Sequence, residues 1–137
     1  MRNNVRPQDA WLQRVENMVA DGFPDVIALS MGVVTPIELK AVETLPVRAA
    51  TRVLGEDGLD VEQRNWHLDW QRHGGQSLVV LGTGIGARCK HYAVSGQHAD
   101  ALNDWSVAQW VAHSMVPVQL QGPAFWNGFV RLLGKRI

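Results

Sequence analysis

The sequence predicts an α+β domain in which helices flank a central mixed β-sheet. Three observations favour this class: short strand-like runs bounded by turn residues, a well-capped helix between two pairs of such runs, and apolar helical periodicity near both ends of the chain. The expected order of elements is α-β-β-α-β-β-α-α.

The predicted elements follow apolar spacing, turn residues and helix caps along the chain. Their approximate bounds are a helix at 7–20, strands at 25–30 and 34–40, a long loop at 41–58, a helix at 60–73, strands at 77–81 and 89–94, and helices at 98–114 and 123–134. The loop shows no convincing period, and long loops in small domains are often functional.

The first helix and the first two strands are predicted from local signals. Pro7 suits the first turn of a helix, and apolar residues then recur at helical spacing until Gly22. These apolar residues are Trp11, Leu12, Val15, Met18 and Val19. The link Met31-Gly32-Val33 between the two strand-like runs predicts a β-hairpin.

The later elements have their own signals. Asp60 and Gln63 form the capping-box pattern of a helix start, and Gly74-Gly75 marks the end of that helix. The next two strands flank the glycine-rich turn 82–86. The last two segments show apolar helical patterns, and the final one carries Phe125, Trp126, Phe129, Val130 and Leu133.

Length and composition predict one globular domain over residues 1–137. The chain is 46% hydrophobic, which is enough for a core, and no shift in composition suggests a second domain. Its one cysteine, Cys89, cannot form an internal disulfide, and no apolar run approaches the roughly 20 residues that span a bilayer. Without an apolar leader-like run at the N-terminus, we expect a cytoplasmic protein with no membrane partner.

Two carboxylates and one amine are predicted to converge at one end of the hairpin. Asp25 begins one strand and Glu38 ends its antiparallel neighbour, while the strand period of two places Glu38 and Lys40 on one face. Converging carboxylates repel one another unless a divalent cation neutralises them, and oxygen ligands without paired His or Cys favour Mg²⁺ or Mn²⁺ over Zn²⁺. These three residues are the smallest set of side chains that metal-dependent phosphodiester cleavage requires.

A simpler interpretation of these three residues stays open, since Asp after Pro is common in turns and Glu-x-Lys on a strand is often an exposed charge pair. The charge total also argues against a nucleic-acid enzyme, because thirteen Lys and Arg oppose thirteen Asp and Glu. A local basic rim around an acidic metal pocket stays open as an alternative, because cations concentrate in the middle and at the end of the chain. They are Arg48, Arg52, Arg64, Arg72, Arg88, Lys90, Arg131, Lys135 and Arg136.

Residues 14–82 contain several motifs in a fixed order. They are Arg14-Val15-Glu16-Asn17, Gly22-Phe23-Pro24-Asp25-Val26, Ile37-Glu38-Leu39-Lys40, the Gln63-x-x-Trp66 helix, and Gly74-Gly75 before an apolar strand. Together they resemble the virus-type replication-repair nuclease (VRR-NUC) branch of the PD-(D/E)xK superfamily. The resemblance implies a restriction-endonuclease-like fold, with a nuclease core at about 7–95 and a C-terminal helical extension at about 98–137.

The resemblance also implies a role for each matching residue. Asp25 and Glu38 would bind Mg²⁺ or Mn²⁺, the Leu39 carbonyl would complete the shell, and Lys40 would orient the water or stabilise the transition state. Glu16 would lie close to the metal, as in the archaeal Holliday-junction resolvases, although a solvated helix charge is the alternative. Gln63 would line the same pocket, although its capping box with Asp60 would alone explain its presence.

The implied function is a metal-dependent DNA endonuclease, phage-encoded or prophage-derived, that acts on branched or flapped DNA in the bacterial cytoplasm. Small nucleases of the resolvase type often act as homodimers, so the resemblance makes a homodimer an open expectation. We expect Arg48, Arg52, Arg64 and Arg72 to contact DNA. The C-terminal third matches no nuclease motif; its Trp105, Trp110 and Trp126 fit a core, with a dimer face or a base-stacking platform as alternatives.

Other functions have weaker support. Gly82, Gly84 and Ala87 fit the dinucleotide-binding pattern G-x-G-x-x-A after a strand, but the residues that follow predict another strand and not the required helix. Cys89 and His91 are too few for a soft-metal site, and most of the remaining histidines, His67, His73, His98 and His113, are predicted at the surface. A catalytically silent DNA- or protein-binding module on a nuclease fold, or an inhibitor that mimics one, is a further alternative, although a retired site has no physical reason to keep three mutually costly charges.

Overall fold

The computed structural model of the protein describes residues 1–16, 21–84 and 89–135, apart from the side chain of Arg2. The regular elements are β1 (Trp11–Arg14), β2 (Val26–Ser30), β3 (Val33–Val42), α1 (Val61–Arg72), β4 (Leu78–Thr83), β5 (Lys90–Ser95), α2 (Val107–His113) and α3 (Pro123–Leu133). Short 3-10 helices lie at Arg2–Asn4, Gly55–Asp57, Gly96–His98 and Leu102–Asp104.

One five-stranded sheet organises the chain in the order β1-β2-β3-β4-β5. The β3–β4 pair is parallel and the other neighbouring pairs are antiparallel. Parallel neighbours need a crossover connection, and α1 lies within the segment that joins β3 to β4. The prediction of an α+β fold with a mixed sheet is therefore confirmed.

The β2–β3 hairpin has the register that its short turn dictates. Met31 and Gly32 both have positive φ, at 51° and 77°, as expected for a two-residue turn that matches the twist of the strands. Ser30 pairs with Val33 on either side of the turn, and the ladder continues to Val26 opposite Ile37. This predicted hairpin is confirmed, within one or two residues at its ends.

The predicted first helix is wrong where the structure describes it. Trp11–Arg14 is a strand that pairs antiparallel with β2, from Trp11 opposite Leu29 to Arg14 opposite Val26. Leu12 alone among its four residues is buried, so the apolar spacing reflects one inward side chain on a sheet edge and not a helical stripe. Residues 17–20, with Met18 and Val19 of the predicted helix, lie outside the described part of the chain.

Apolar cores cover both faces of the sheet. On one face, α3 packs its aromatic side against the sheet, and the buried residues there include Ala28, Ile37, Leu78, Val80, Phe125, Trp126 and Phe129. The other face buries Val79, Leu81, Tyr92 and Val94 against Leu54, Leu59, Leu102, Trp105 and Trp110. Glu38 and Lys40 project on this second face, because they pair in register with Val79 and Leu81.

The C-terminal third contributes to both cores. Trp105, Trp110 and Trp126 are at most 5% exposed, so their assignment to the core is confirmed and the exposed platform is excluded for them. The predicted helix at 98–114 is too long. Trp105 has extended backbone angles, and Ser106 then caps the short α2.

The loop before α1 is tied to this C-terminal segment. Its backbone bonds include Val53 N–H to the Trp105 carbonyl, at 3.1 Å, and Ala108 N–H to the Ala49 carbonyl, at 3.2 Å. The predicted loop is thus confirmed as irregular, but it begins only after β3 ends at Val42. These bonds connect the chain that precedes α1 to the residues that follow β5.

The dinucleotide-binding alternative is excluded by topology. That site needs a helix after its glycines and a parallel strand beyond, whereas β5 begins at Lys90 and runs antiparallel to β4. Ala87 lies outside the described residues. No helix in residues 1–16, 21–84 or 89–135 is long and apolar enough to cross a membrane.

Candidate active site

The hairpin brings the two predicted carboxylates together. Asp25 immediately precedes β2, and the register pairs Val26 with Ile37. The residue before Val26 therefore lies across from the residue after Ile37, which is Glu38. The backbone N–H of Leu39 donates a 2.8 Å hydrogen bond to Asp25 Oδ2, which fixes this carboxylate against β3.

Lys40 and Glu38 form a buried ion pair. The Lys40 Nζ lies 3.2 Å from Glu38 Oε1, and the side chains are only 15% and 1% exposed. Removing charges from water is costly unless partners replace the solvent. An exposed charge pair on a strand, the simpler interpretation of the sequence, is therefore wrong for these two residues.

Gln63 links this pair to α1. Its Nε2 donates to Glu38 Oε1 at 2.6 Å, and its Oε1 accepts from Lys40 Nζ at 3.1 Å. The same Oε1 also accepts from the backbone N–H of Asp60 at 3.1 Å, as part of the predicted capping box. Two donors fill the two lone pairs of this oxygen, so the Gln63 amide can point only its nitrogen at Glu38. Gln63 thus has both roles that the sequence left open.

The environment of Glu38 favours its neutral form when no cation is near. Burial, and then the negative charge of Asp25, raise the pKa of Glu38 to about 7, while the charge of Lys40 opposes the shift. Its Oε1 has two partners, but its Oε2 is buried without a hydrogen-bond partner among the described residues. A buried acceptor in this state is expected to be completed by a proton, a water or a cation.

These residues fit a hard divalent cation. Glu38 Oε2 has no hydrogen-bond partner among the described residues, the Asp25 carboxylate is near enough to raise the pKa of Glu38, and the main-chain carbonyl of Leu39 belongs to the residue that bonds Asp25. Such oxygen donors are the usual ligands of Mg²⁺ and Mn²⁺. In the described ranges, no group of three or more His, Cys, Asp or Glu side chains is arranged to hold a metal, so the protein side chains would leave part of the shell to carbonyl, water or substrate oxygens.

The segment before Asp25 is packed against the start of α1. A side chain on Gly22 would overlap the backbone of Glu62 and Gln63, and Gly22 has a φ of 77°. The ring of Phe23 meets Trp66 edge-on, with centroids 5.3 Å apart. Close approach of Gly22 and the Phe23–Trp66 contact therefore set the distance between the hairpin and Gln63.

His67, predicted at the surface, is fully buried behind this site. It lies one helical turn after Gln63, and its Nδ1 is 2.7 Å from Ser77 Oγ. Burial, and then the charge of Lys40, lower the pKa of His67 to about 4, so the ring is neutral near pH 7. Its spacing of four residues from Gln63 is the sequence signal that marks the same helix face.

Glu16 makes no hydrogen bond or ion pair with Asp25, Glu38 or Lys40 in the described part of the chain. Its side chain is 83% exposed and lies 4.0 Å from Arg14, in the segment after β1 and not on a helix. The expectation of a helix-borne glutamate is therefore wrong as to its element. Its nearness to a metal stays a prediction.

The predicted DNA-contacting arginines differ in their surroundings. Arg52 pairs with Asp104 at 3.2 Å and Arg72 with Asp69 at 2.7 Å, so acids partly neutralise both. Arg48 is exposed in the loop. Arg64, on the first turn of α1, is half-buried, and its Nε has no hydrogen-bond partner in the described part of the chain.

The sequence matches no protein-family profile and no curated protein. A solved structure with a similar arrangement is the Holliday junction resolvase Hjc of Archaeoglobus fulgidus, an archaeal hyperthermophile, with a TM-score of 0.43 and 16% sequence identity. The match covers 66% of this chain and 62% of the resolvase, so the chain spans less than two thirds of that protein's length.

Proposed function

We propose that this protein is a metal-dependent endonuclease that hydrolyses DNA phosphodiester bonds. The observation that carries the proposal is the state of Glu38: it is 1% exposed, it is bonded at one oxygen to Lys40 and Gln63, and its other oxygen has no hydrogen-bond partner among the described residues, although the charge of Asp25 acts on it. Nothing in the fold needs a carboxylate at this position, since an apolar residue would pack there at lower cost. A role in chemistry explains its retention.

Each residue has a definite task in this reaction. Asp25, Glu38 and the Leu39 carbonyl would hold Mg²⁺ or Mn²⁺, and the ion would polarise the scissile phosphate and promote ionisation of the attacking water. Lys40 would stabilise the negative charge that develops on the phosphoryl oxygens. Gln63 keeps Lys40 and Glu38 at a fixed separation, and neutral His67 adds no competing positive charge.

Several more specific parts of this proposal are supported by the motif resemblance described above. They are the VRR-NUC branch, branched or flapped DNA as substrate, a phage or prophage origin, a homodimer, a cytoplasmic setting, and a third carboxylate from Glu16. Among the basic residues, Arg64 is the best candidate for a phosphate contact, because it follows Gln63 on the first turn of α1 and, unlike Arg52 and Arg72, pairs with no acid in the described part of the chain.

The test is cleavage of four-way, flapped, linear and single-stranded DNA by the purified protein in EDTA, Mg²⁺ or Mn²⁺. Asp25→Ala should abolish cutting, whereas Asp69→Ala, which removes an exposed aspartate paired with Arg72, should not. Binding of DNA without cutting on every substrate and with every metal would support the catalytically silent module in place of the enzyme. The ranking of substrates tests the preference for branches separately.

A further inference from the structure

We propose that Asn103, in the C-terminal third that matches no nuclease motif, is a positioning residue for the active site. It acts through Gln63, so the inference rests on the proposed function and deepens it. Asn103 itself touches neither Glu38 nor Lys40 through any described hydrogen bond. Its effect passes through the backbone that leads into α1.

The Asn103 side chain binds both backbone polar groups of Leu59, an arrangement that we call a clamp. Leu59 N–H donates to Asn103 Oδ1 at 2.7 Å, and Asn103 Nδ2 donates to the Leu59 carbonyl at 2.7 Å. The amide side chain therefore satisfies both polar groups of Leu59, as a neighbouring β-strand would. Because the two residues are 44 positions apart in sequence, the clamp is a tertiary contact and not a local turn.

Gly58 leaves the space that the Asn103 amide occupies. A side chain on Gly58 would coincide with the Asn103 amide, whereas the backbone angles of Gly58 are ordinary for any residue. Glycine is therefore explained at this position by the approach of Asn103. Leu59 and Leu102 are both buried in the same apolar core, which anchors the two chains beside the clamp.

Hydrogen bonds connect the clamped Leu59 to Gln63 in the candidate active site. Leu59 is followed at once by Asp60, whose carboxylate accepts from Gln63 N–H at 2.7 Å and whose N–H donates to Gln63 Oε1 at 3.1 Å. Gln63 then bridges Glu38 and Lys40. A path of short hydrogen bonds thus fixes where α1 begins, and the start of α1 fixes the Gln63 amide.

The chain offers a matched control in Gln121. Its Oε1 accepts from His91 N–H at 2.7 Å and its Nε2 donates to the His91 carbonyl at 3.2 Å, so it clamps a backbone residue in the same manner. His91 lies on β5, outside the path to Gln63. Asn103→Ala and Gln121→Ala therefore each remove a two-sided backbone clamp, and Gln121→Ala also removes the 2.9 Å bond from Nε2 to the Val118 carbonyl. Gly58→Ala removes the Asn103 clamp by displacement.

The decisive readout is the Gln63 side-chain amide, observed by ¹H–¹⁵N NMR in metal-free protein well below the unfolding temperature. We expect solvent exchange of its protons to be at least about tenfold faster in Asn103→Ala and Gly58→Ala, and unchanged in Gln121→Ala. Unchanged exchange in both Asn103→Ala and Gly58→Ala would overturn the inference. This arm needs no catalysis, so it remains decisive if the protein cuts no DNA.

The second arm is a double-mutant cycle on cleavage rate. Asn103→Ala should slow cleavage several-fold in the wild-type background and have no further effect in the Gln63→Ala background. An equal loss in both backgrounds would mean that Asn103 does not act through Gln63. Failure of the wild type to cut any DNA would reject the nuclease proposal without deciding the role of Asn103.

Discussion

Gln63 donates a 2.6 Å hydrogen bond to Glu38 across 25 residues of sequence, while the oxygen of the same amide caps its own helix. One side chain therefore joins the start of α1 to the end of the hairpin. The position of α1 and the geometry of the site are coupled through this residue, because Gln63 cannot keep its bond to Glu38 while it caps the helix if α1 shifts along its axis.

Gln63→Ala is expected to lower the cleavage rate by about 10- to 100-fold, the usual effect of removing a residue that orients a metal ligand. Gln109→Ala is the matched control, because Gln109 makes the same capping box with Ser106 at the start of α2. Gln109→Ala should lower the free energy of unfolding by about 1 kcal/mol, and Gln63→Ala by about 2 kcal/mol, because it also removes a partner from the buried Glu38 and Lys40. Urea unfolding checks the stabilities, and equal cleavage rates for the two variants would contradict a role for Gln63.

Lys40→Ala is expected to slow cleavage at least ~100-fold, as for loss of one transition-state stabiliser. Because the charge of Lys40 holds down the pKa of Glu38, the variant should also need a higher pH for its residual activity. A pH–rate profile measures both effects. Lys90→Ala, which removes an exposed lysine from β5, should cut normally; a fully active Lys40→Ala would exclude the assigned mechanism.

Glu38→Gln is expected to change how stability depends on pH in EDTA. The folded pKa of Glu38 is about 7 against an ordinary value of 4.5, so its contribution is fully present below pH 4.5 and lost as pH rises through 7. Between pH 5 and pH 8 the wild type should therefore lose about 2 kcal/mol relative to Glu38→Gln. Urea unfolding at the two pH values measures the difference.

The titration of His67 changes the stability with pH in the opposite direction to that of Glu38. The effect of Glu38 is therefore measured as the difference between the wild type and Glu38→Gln. Its folded pKa is about 4 against an ordinary 6.5, so its contribution is present above pH 6.5 and lost as pH falls toward 4. Between roughly pH 4.5 and 6.5 the contributions of Glu38 and His67 to the free energy of unfolding change in opposite directions. Their sum in the wild type should therefore be nearly independent of pH in this range. Parallel pH curves for wild type and Glu38→Gln would show that Glu38 is not held neutral.

Gly22→Ala is expected to destabilise the fold more than Gly32→Ala. Both glycines have a φ of 77°, but a side chain on Gly32 meets nothing within 4 Å, whereas one on Gly22 overlaps the backbone of α1. Backbone strain alone should cost about 1 kcal/mol, and the overlap should add about 2 kcal/mol. Thermal unfolding of both variants makes the comparison, and equal losses would show that Gly22 does not set the spacing to α1.

Local sequence signals predicted the structure correctly wherever a few neighbouring residues determine their own backbone geometry. The two-residue turn at Met31-Gly32 set the hairpin register, and the register placed Asp25 across from Glu38. The capping box of Asp60 and Gln63 likewise set the start of α1 within one residue. In both cases the determining contacts lie within a few residues, so their pattern is visible in sequence.

Sequence by itself thus determined the sheet class, the hairpin, the capped helix and the set of Asp25, Glu38 and Lys40. Tertiary structure alone decided that Trp11–Arg14 is an edge strand, that His67 is buried, and that Asn103 joins distant parts of the chain. Apolar spacing cannot distinguish one buried residue on a strand from a helical stripe until the partner strand is known. Burial and long-range hydrogen bonds depend on which elements pack together, and that is a property of the assembled sheet and helices.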